Sequence, residues 1–245
     1  ERTFNQFKHG SQEMKIIALI LARGGSRGIF KKNIKLLNGK PLMDYIIDEA
    51  IKCKFFDEVV VSTEDTEIQN HIKEKYLYNY NGHGAKHFNL VTRPPELATD
   101  ESKSIDAVKH ALSVVDADYV VLLNACCPFT KATDIANCVK MALETKCDSV
   151  VSLVEDFSSH PNKVCRLQGD NKIDPVGSSF QTGERQLGDY KIFKRNTAIY
   201  LAKKEVIMSG TFFGPDTRGF VMPKERSLDI NDEFDWKIAE LILKN

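Results

Sequence analysis

The stretch K-I-I-A-L-I-L-A-R-G-G-S-R-G-I-F-K-K-N, residues 15–33, decides how the chain is read. It begins with an unbroken apolar run, Ile16 to Ala22, bounded by Lys15 on one side and Arg23-Gly24 on the other. A run with no polar residue at either parity must be covered on both faces, the pattern of a buried strand in a parallel sheet. Arg23-Gly24-Gly25-Ser26-Arg27-Gly28 follows, with three glycines in five positions. Amides there can approach a ligand closely, and Arg23, Arg27, Lys31 and Lys32 surround them with positive charge. In an open α/β sheet, ligands bind beyond the carboxyl ends of the strands. A cationic, donor-rich loop at that place reads as a phosphate site. A plain strand-to-helix connection is the competing reading. The loop has no G-x-x-x-x-G-K-[ST] sequence, and its glycines do not fit G-x-G-x-x-G, which argues against a dinucleotide oxidoreductase.

Outward from this loop, hydrophobic segments alternate with helical ones. Leu42, Tyr45, Ile46 and Ala50 recur at helix spacing behind Pro41 at the first helical position. Glu58 to Ser62 is a second buried strand, after which Asp65 is expected to cap a helix starting at Thr66. Residues 76–87 read as connection. Arg93, held extended by the prolines after it, is the sharpest candidate in V-T-R-P-P-E-L-A-T-D-E-S, with Asp100 or Ser102 capping the next helix. Tyr119 to Leu123 is another strand, with Asn124-Ala125-Cys126-Cys127-Pro128 at its carboxyl end. The Asn124 amide carries the paired donors and acceptor that can read a base edge. A helix over 131–145 and a strand over 149–154 complete this rhythm, which breaks down over 155–194 into short polar segments that cannot bury a core alone. A strand from Lys194 to Leu201, a short one over 219–222 and an amphipathic C-terminal helix capped by Asn231 end the chain.

Composition narrows the function classes. Of 245 residues 42% are hydrophobic and 28% charged, ordinary for one large α/β domain. Lys+Arg and Asp+Glu both total 34, so bulk charge points to neither nucleic acid nor a membrane surface. No apolar run approaches the roughly 20 residues of a bilayer span. Residues 1–13 read as a flexible polar tail with no secretory core. The six cysteines form no C-x-x-C pair and have no histidine cluster beside them, so reduced thiols in a cytoplasmic protein are expected.

The motif R-G-G-S-R-G followed by K-K-N resembles the first motif of the cytidylyltransferases that make CMP-sialic acid and related CMP-activated acid sugars. Later segments resemble the same family in order, from about Met14 onward. Residues 93–102 are similar to its R-P-x-E-L-A-x-D-x-x-S. Residues 124–130 stand where it has Q-P-T-S-P-L-R, with Ala125, Cys126-Cys127 and Thr130 as departures. His160-Pro161-Asn162-Lys163 is similar to its H-P-x-K. Residues 194–200 resemble R-P-N-G-A-I-Y, with Arg195 and Thr197 departing. Asp229 and Asn231 stand where it has D-x-D.

The resemblance implies a three-layer Rossmann-like nucleotidyltransferase fold with a mostly parallel central sheet. The core would comprise 14–154 and 196–245, and 155–195 would form a dimerisation arm contributing to the partner's acid-sugar site in a homodimer. It implies transfer of CMP from CTP to a nonulosonic acid such as N-acetylneuraminate, with release of pyrophosphate. CTP would meet Arg23, Gly24, Gly25, Ser26, Arg27, Asn33, Arg93, Ser102 and Asn124, with Arg23, Arg27, Lys32 and Asp229 catalytic. The acid sugar would meet Lys163, Arg185, Lys194 and Asn196. Mg²⁺ would be held by Asp229 and Asn231, one negative charge short of the family pair. Read without the family, Lys163 and Arg185 are surface cations, and Ser102 is only a cap. Two other readings stay open: a different acceptor (Kdo, pseudaminic or legionaminic acid, or a phosphonate), and a catalytically weakened nucleotide-binding homologue.

Overall fold

Ile16–Leu21 forms strand β1 at the middle of a seven-stranded sheet, as its two-sided hydrophobicity requires. Successive side chains leave opposite faces. Ile16, Ala18 and Ile20 join one buried cluster, while Ile17 and Leu19 join another across the sheet. Each of these isoleucine and leucine side chains contributes about 1.5–3 kcal/mol on burial. In this computed structural model the described residues are 14–26, 28–78, 87–159, 161–169, 172–177 and 191–244.

A two-stranded ribbon, β2 (Leu36–Leu37) and β3 (Lys40–Pro41), leads into helix α1 (Leu42–Lys52). Pro41 is its N-cap, one position before the place expected for it. The chain continues through β4 (Glu58–Thr63), α2 (Thr66–Ile72), a π-helical turn (Lys73–Leu77), β5 (His87–Thr92) and α3 (Ser104–Val114). β6 (Tyr119–Leu123), α4 (Ala132–Thr145) and β7 (Ser149–Glu155) follow. Then come a small exposed hairpin of β8 (Cys165–Leu167) and β9 (Ile173–Pro175), β10 (Phe193–Lys203), α5 (Lys204–Met208), β11 (Thr217–Val221) and α6 (Glu233–Lys244). The sheet order is β11-β7-β10-β6-β1-β4-β5, and β10 alone runs antiparallel to its neighbours. The expected mostly parallel sheet is present.

Helices cover both faces. Met43, Ile46 and Ile47 of α1 and Ile135, Cys138 and Val139 of α4 pack on one side; Val108, Ala111 and Leu112 of α3 and Ile207 of α5 pack on the other. The C-terminal helix closes a third cluster, in which Trp236 and Ile230 meet Leu37 and Leu42. From β1 the chain builds β4 and β5 to one side and then returns to place β6 on the other. The carboxyl ends of β1 and β6 therefore flank a topological switch point, where such sheets open a crevice.

Two details differ from the sequence expectation. The sheet extends to Phe193, inside the stretch assigned to the arm, because Phe193, Lys194 and Arg195 pair with Glu155, Val154 and Leu153 of β7. The cap of α6 is Asp232 rather than Asn231. Its Oδ1 accepts from the Phe234 and Asp235 amides at 2.9 and 3.0 Å, while Asp235 Oδ2 accepts in return from Asn231 N at 2.8 Å. A carboxylate one residue closer to the helix satisfies two orphan amides, which an asparagine one residue earlier does not reach.

Candidate functional site

A cleft of about 540 Å³ opens at the switch point. Its floor is Leu21, at the end of β1, and Asn124 and Cys126, just beyond β6. One rim is the glycine loop, with Arg23, Ser26, Gly28, Lys32 and Asn33; the other is the segment from Arg93 through Ser104; Asn231 closes the far end.

The glycines permit close approach of chain to chain. A Cβ on Gly24 would overlap the Asp65 side chain, and one on Gly28 would overlap the Asn231 carbonyl oxygen, whereas Gly25 has open space. Asp65 caps α2 by accepting from Ile68 N at 2.9 Å, as expected. The Gly24 amide donates to Glu64 Oε1 at 2.7 Å. Asn33 is buried and braces the loop through Nδ2 to the Arg23 carbonyl at 2.8 Å. Lys32 Nζ donates to the Ile230 carbonyl at 2.6 Å, which fastens the loop to the segment carrying Asp229 and Asn231.

Both described guanidinium groups on the cleft already face carboxylates. Arg23 Nη1 lies 2.8 Å from Asp100 Oδ1 and donates to the Thr99 carbonyl at 3.2 Å. Arg93, 4% exposed, donates from Nη2 to Glu64 Oε2 at 2.8 Å, and its buried Nε has no partner among the described residues. Neither Asp100 nor Ser102 caps α3, whose N-cap is Lys103 without a side-chain bond. Asp100 is drawn to Arg23, and Ser102 Oγ donates to the Glu96 carbonyl at 2.7 Å, folding the rim on itself.

Asn124 Oδ1 accepts from Cys126 N at 3.0 Å, and its Nδ2 donates to Thr197 Oγ1 at 3.3 Å. Burial raises the Cys126 thiol above its usual range against the pull of Lys32. It pushes the Cys127 thiol well above that range, with the nearby Asp229 carboxylate adding to the rise. Asp229 Oδ2 accepts from Thr197 Oγ1 at 2.9 Å, and Ile230 N donates to the Cys126 carbonyl at 3.0 Å. The residues after β6, the middle of β10 and the 229–231 segment thus meet beside the cleft, which Asn124, Cys126 and Asn231 line and Asp229 does not.

Other expected residues fall elsewhere. Asn196, expected to touch substrate, is 4% exposed and turned inward. Its Oδ1 accepts from Ser152 Oγ at 2.5 Å, and its Nδ2 donates to Ser227 Oγ at 2.9 Å. The bulge in β10 directs that amide into the core, where unmade hydrogen bonds would be costly, so its role is to hold the strand in place. Lys194 pairs with Asp156 at 2.7 Å beside a separate hollow of about 230 Å³. Lys163 is exposed on the excursion. Arg27 and Arg185, like His160, lie outside the described residues. Glu64, which joins the glycine loop to Arg93, was not among the expected site residues, reading only as part of the strand end and cap at 63–65; a charge directly after a buried strand was its signal.

The cytidylyltransferase family pattern matches residues 17–211. The N-acylneuraminate cytidylyltransferase of Escherichia coli O18:K1:H7 is 36% identical over 237 residues, covering 92% of this chain and 51% of that protein. N-acylneuraminate cytidylyltransferase A of Danio rerio is 32% identical, covering 92% of this chain and 50% of its own length. The chain spans about half the length of these curated relatives. The post-translational flagellin modification protein B of Campylobacter coli is 25% identical, covering 94% of this chain and 95% of its own. Among solved structures, CMP:2-keto-3-deoxy-manno-octonic acid synthetase complexed with CTP superposes with a TM-score of 0.68 at 14% identity, over 94% of this chain and 98% of that one. The 4-diphosphocytidyl-2C-methyl-D-erythritol synthase of Anaerococcus prevotii does so with 0.61 at 15%, over 95% and 99%. These two likenesses establish the shared Rossmann-like fold. With that fold, and with a match that runs from β1 through β10 and takes in both rims of the cleft, the chain belongs to the cytidylyltransferase family.

Proposed function

We propose that the chain transfers a cytidylyl group from CTP to the hydroxyl of a nonulosonic acid such as N-acetylneuraminate and releases pyrophosphate. The observation that carries this reading is the cleft, where Arg23, Lys32, Arg93 and the glycine loop face Asn124 inside the family match. Two relatives at more than 30% identity are named for N-acylneuraminate. The acceptor oxygen forms a bond to the α-phosphorus while the bond to the β-phosphate oxygen breaks, and the hydroxyl proton leaves to solvent. Arg23 and Lys32 would stabilise charge on the departing pyrophosphate, and Asn124 would orient the base, so the protein contributes chiefly positioning and electrostatics.

The residues at 229–231 fit Mg²⁺. Asp229 Oδ1 takes no hydrogen bond from the described residues, and Asn231 lines the cleft, so two oxygen donors of the hard type stand there. Among the described residues no set of three His, Cys, Asp or Glu side chains could hold an ion unaided, so phosphate and water oxygens would complete the shell. When bound, the ion would supply positive charge to the phosphate oxygens.

The excursion exposes Val164, Leu167, Ile173 and Val176, apolar surface suited to burial against a second copy in a homodimer. Lys163 and Lys194 would then serve the acid-sugar carboxylate. All six cysteines are free, which suits the cytoplasm. No described helix is long and apolar enough to cross a membrane. The test is pyrophosphate release from CTP and Mg²⁺ with a panel of acidic sugars. Turnover with N-acetylneuraminate is expected. Turnover only with another acid moves the acceptor assignment, and CTP binding without turnover on any acid favours a weakened homologue.

A further inference from the structure

Strand β10 breaks register between Arg195 and Tyr200, and within that bulge Thr197 has φ +62°. A β-branched residue is a backbone outlier in this region, and such strain persists only where the surroundings enforce it. The surroundings here are polar. Thr197 Oγ1 accepts from Asn124 Nδ2 at 3.3 Å, lies 3.9 Å from Cys127 Sγ, and has two oxygen acceptors for its single proton, the Asn196 carbonyl at 2.7 Å and Asp229 Oδ2 at 2.9 Å. The carboxylate, being charged, is the stronger acceptor. The hydroxyl therefore links the amide beyond β6 to the aspartate of the C-terminal segment. It also borders a hollow of about 270 Å³ that shares Leu21, Ser104 and Asn124 with the main cleft.

We propose that Thr197 is a positioning residue. The resembled motif has glycine at this position, which adopts such a φ freely; threonine accepts the strain and in that conformation places one hydroxyl between Asn124 and Asp229, fixing the amide for the nucleotide and the carboxylate for the cation. The proposal rests on the cytidylyltransferase reading of the cleft. Three variants separate hydroxyl from backbone: Thr197→Ser keeps both the oxygen and Cβ, Thr197→Ala keeps only Cβ, and Thr197→Gly keeps neither. Function should follow the oxygen. Ser should match the native protein, while Ala and Gly each raise the Mg²⁺ half-saturation of CTP binding by about tenfold, the usual order for losing a partner that orients a ligand. Stability should follow the backbone, with Gly melting above Ala because φ > 0 costs it nothing. CTP calorimetry across a Mg²⁺ series and metal-free thermal denaturation provide both readouts without turnover. If the native protein binds CTP with Mg²⁺ but turns over no acid, the activity reading fails while the Thr197 proposal is still decided. Ala and Gly variants with native CTP and Mg²⁺ dependence would overturn the proposal, as would a Ser variant as impaired as Ala.

Discussion

Gly28→Ala and Gly25→Ala, three residues apart on one loop, should behave differently. Neither glycine has a positive φ, so alanine is conformationally allowed at both. At Gly25 a new Cβ meets nothing within 4 Å. At Gly28 it would overlap the Asn231 carbonyl oxygen, with the carbonyl carbon 3.3 Å and Asp232 Cα 3.7 Å away, and every one of these atoms is backbone. Carbon–oxygen contacts settle near 3.3 Å, so relief requires loop and segment to part by about 1 Å. That displacement also pulls Lys32 from the Ile230 carbonyl, now 2.6 Å away, and moves Asp229 relative to the cleft. A misplacement of about 1 Å at a catalytic centre costs on the order of 10²-fold. Gly28→Ala should therefore lose about 10²-fold in kcat/KM for CTP in a pyrophosphate-release assay, whereas Gly25→Ala stays within about twofold, the range expected where no contact changes. Gly28 is exposed, so the melting temperature of its variant should fall by only a few degrees. Native kcat/KM in Gly28→Ala with an intact fold would refute the coupling between the first loop and the C-terminal segment.

Four further outcomes test other parts of the structure. Alkylation followed by mass spectrometry should label exposed Cys165 first and half-buried Cys126 more slowly, with CTP protecting Cys126; buried Cys53, whose thiol burial pushes up to about 11, should resist at pH 8. Asp44 is fully buried, with Lys75 Nζ at 2.8 Å and His71 Nε2 at 2.9 Å, so Asp44→Asn should cost about 2 kcal/mol in denaturant unfolding and leave CTP affinity unchanged. Hydrogen bonds from Lys194 and Ser158 hold the Asp156 carboxyl well below the usual range. Its contribution is thus present above the unfolded value near about 4 and lost as pH falls below it, and Asp156→Asn should flatten the loss of melting temperature on acidification through that window. Asp100→Asn should tighten CTP binding by up to about fivefold in calorimetry, the worth of an exposed pair; weaker binding would refute the competition inferred between Asp100 and phosphate for Arg23.

Hydrophobic pattern carried most of the fold. Continuous apolar runs at 16–22, 58–62 and 119–123 became central strands because helices cover both faces of the sheet there. The place of the glycine loop was also legible, since a loop at the carboxyl end of a central parallel strand borders the cleft. What escaped were pairings across long separations. Glu64 and Arg93 are 29 residues apart, and nothing local shows that one carboxylate bridges Arg93 and the Gly24 amide. Asn196 is a ligand only by the resemblance of residues 194–200 to R-P-N-G-A-I-Y. The bulge that turns it inward is fixed by pairing to two different strands, which no period reveals. The cap of the last helix fell on Asp232 instead of Asn231, a shift of one residue within the ordinary uncertainty of a helix boundary.

The two arginine pairs on the cleft differ in burial, and that difference assigns their roles. Arg23 and Asp100 have side chains 34% and 38% exposed, a setting in which ion pairs contribute about 0–1 kcal/mol. A triphosphate brings more charge than one carboxylate, so Arg23 can change partners at little cost. Arg93 and Glu64 are 4% and 16% exposed, and separating them would leave a buried charge uncompensated at about 3–5 kcal/mol. That would consume much of the roughly 8 kcal/mol available to a micromolar ligand. Arg93 is therefore expected to stay with Glu64 when nucleotide binds. Its buried Nε has no partner among the described residues, although other parts of Arg93 line the cleft. By this reasoning Arg23 would be the guanidinium that turns to phosphate, while Arg93 would keep its place beside Glu64.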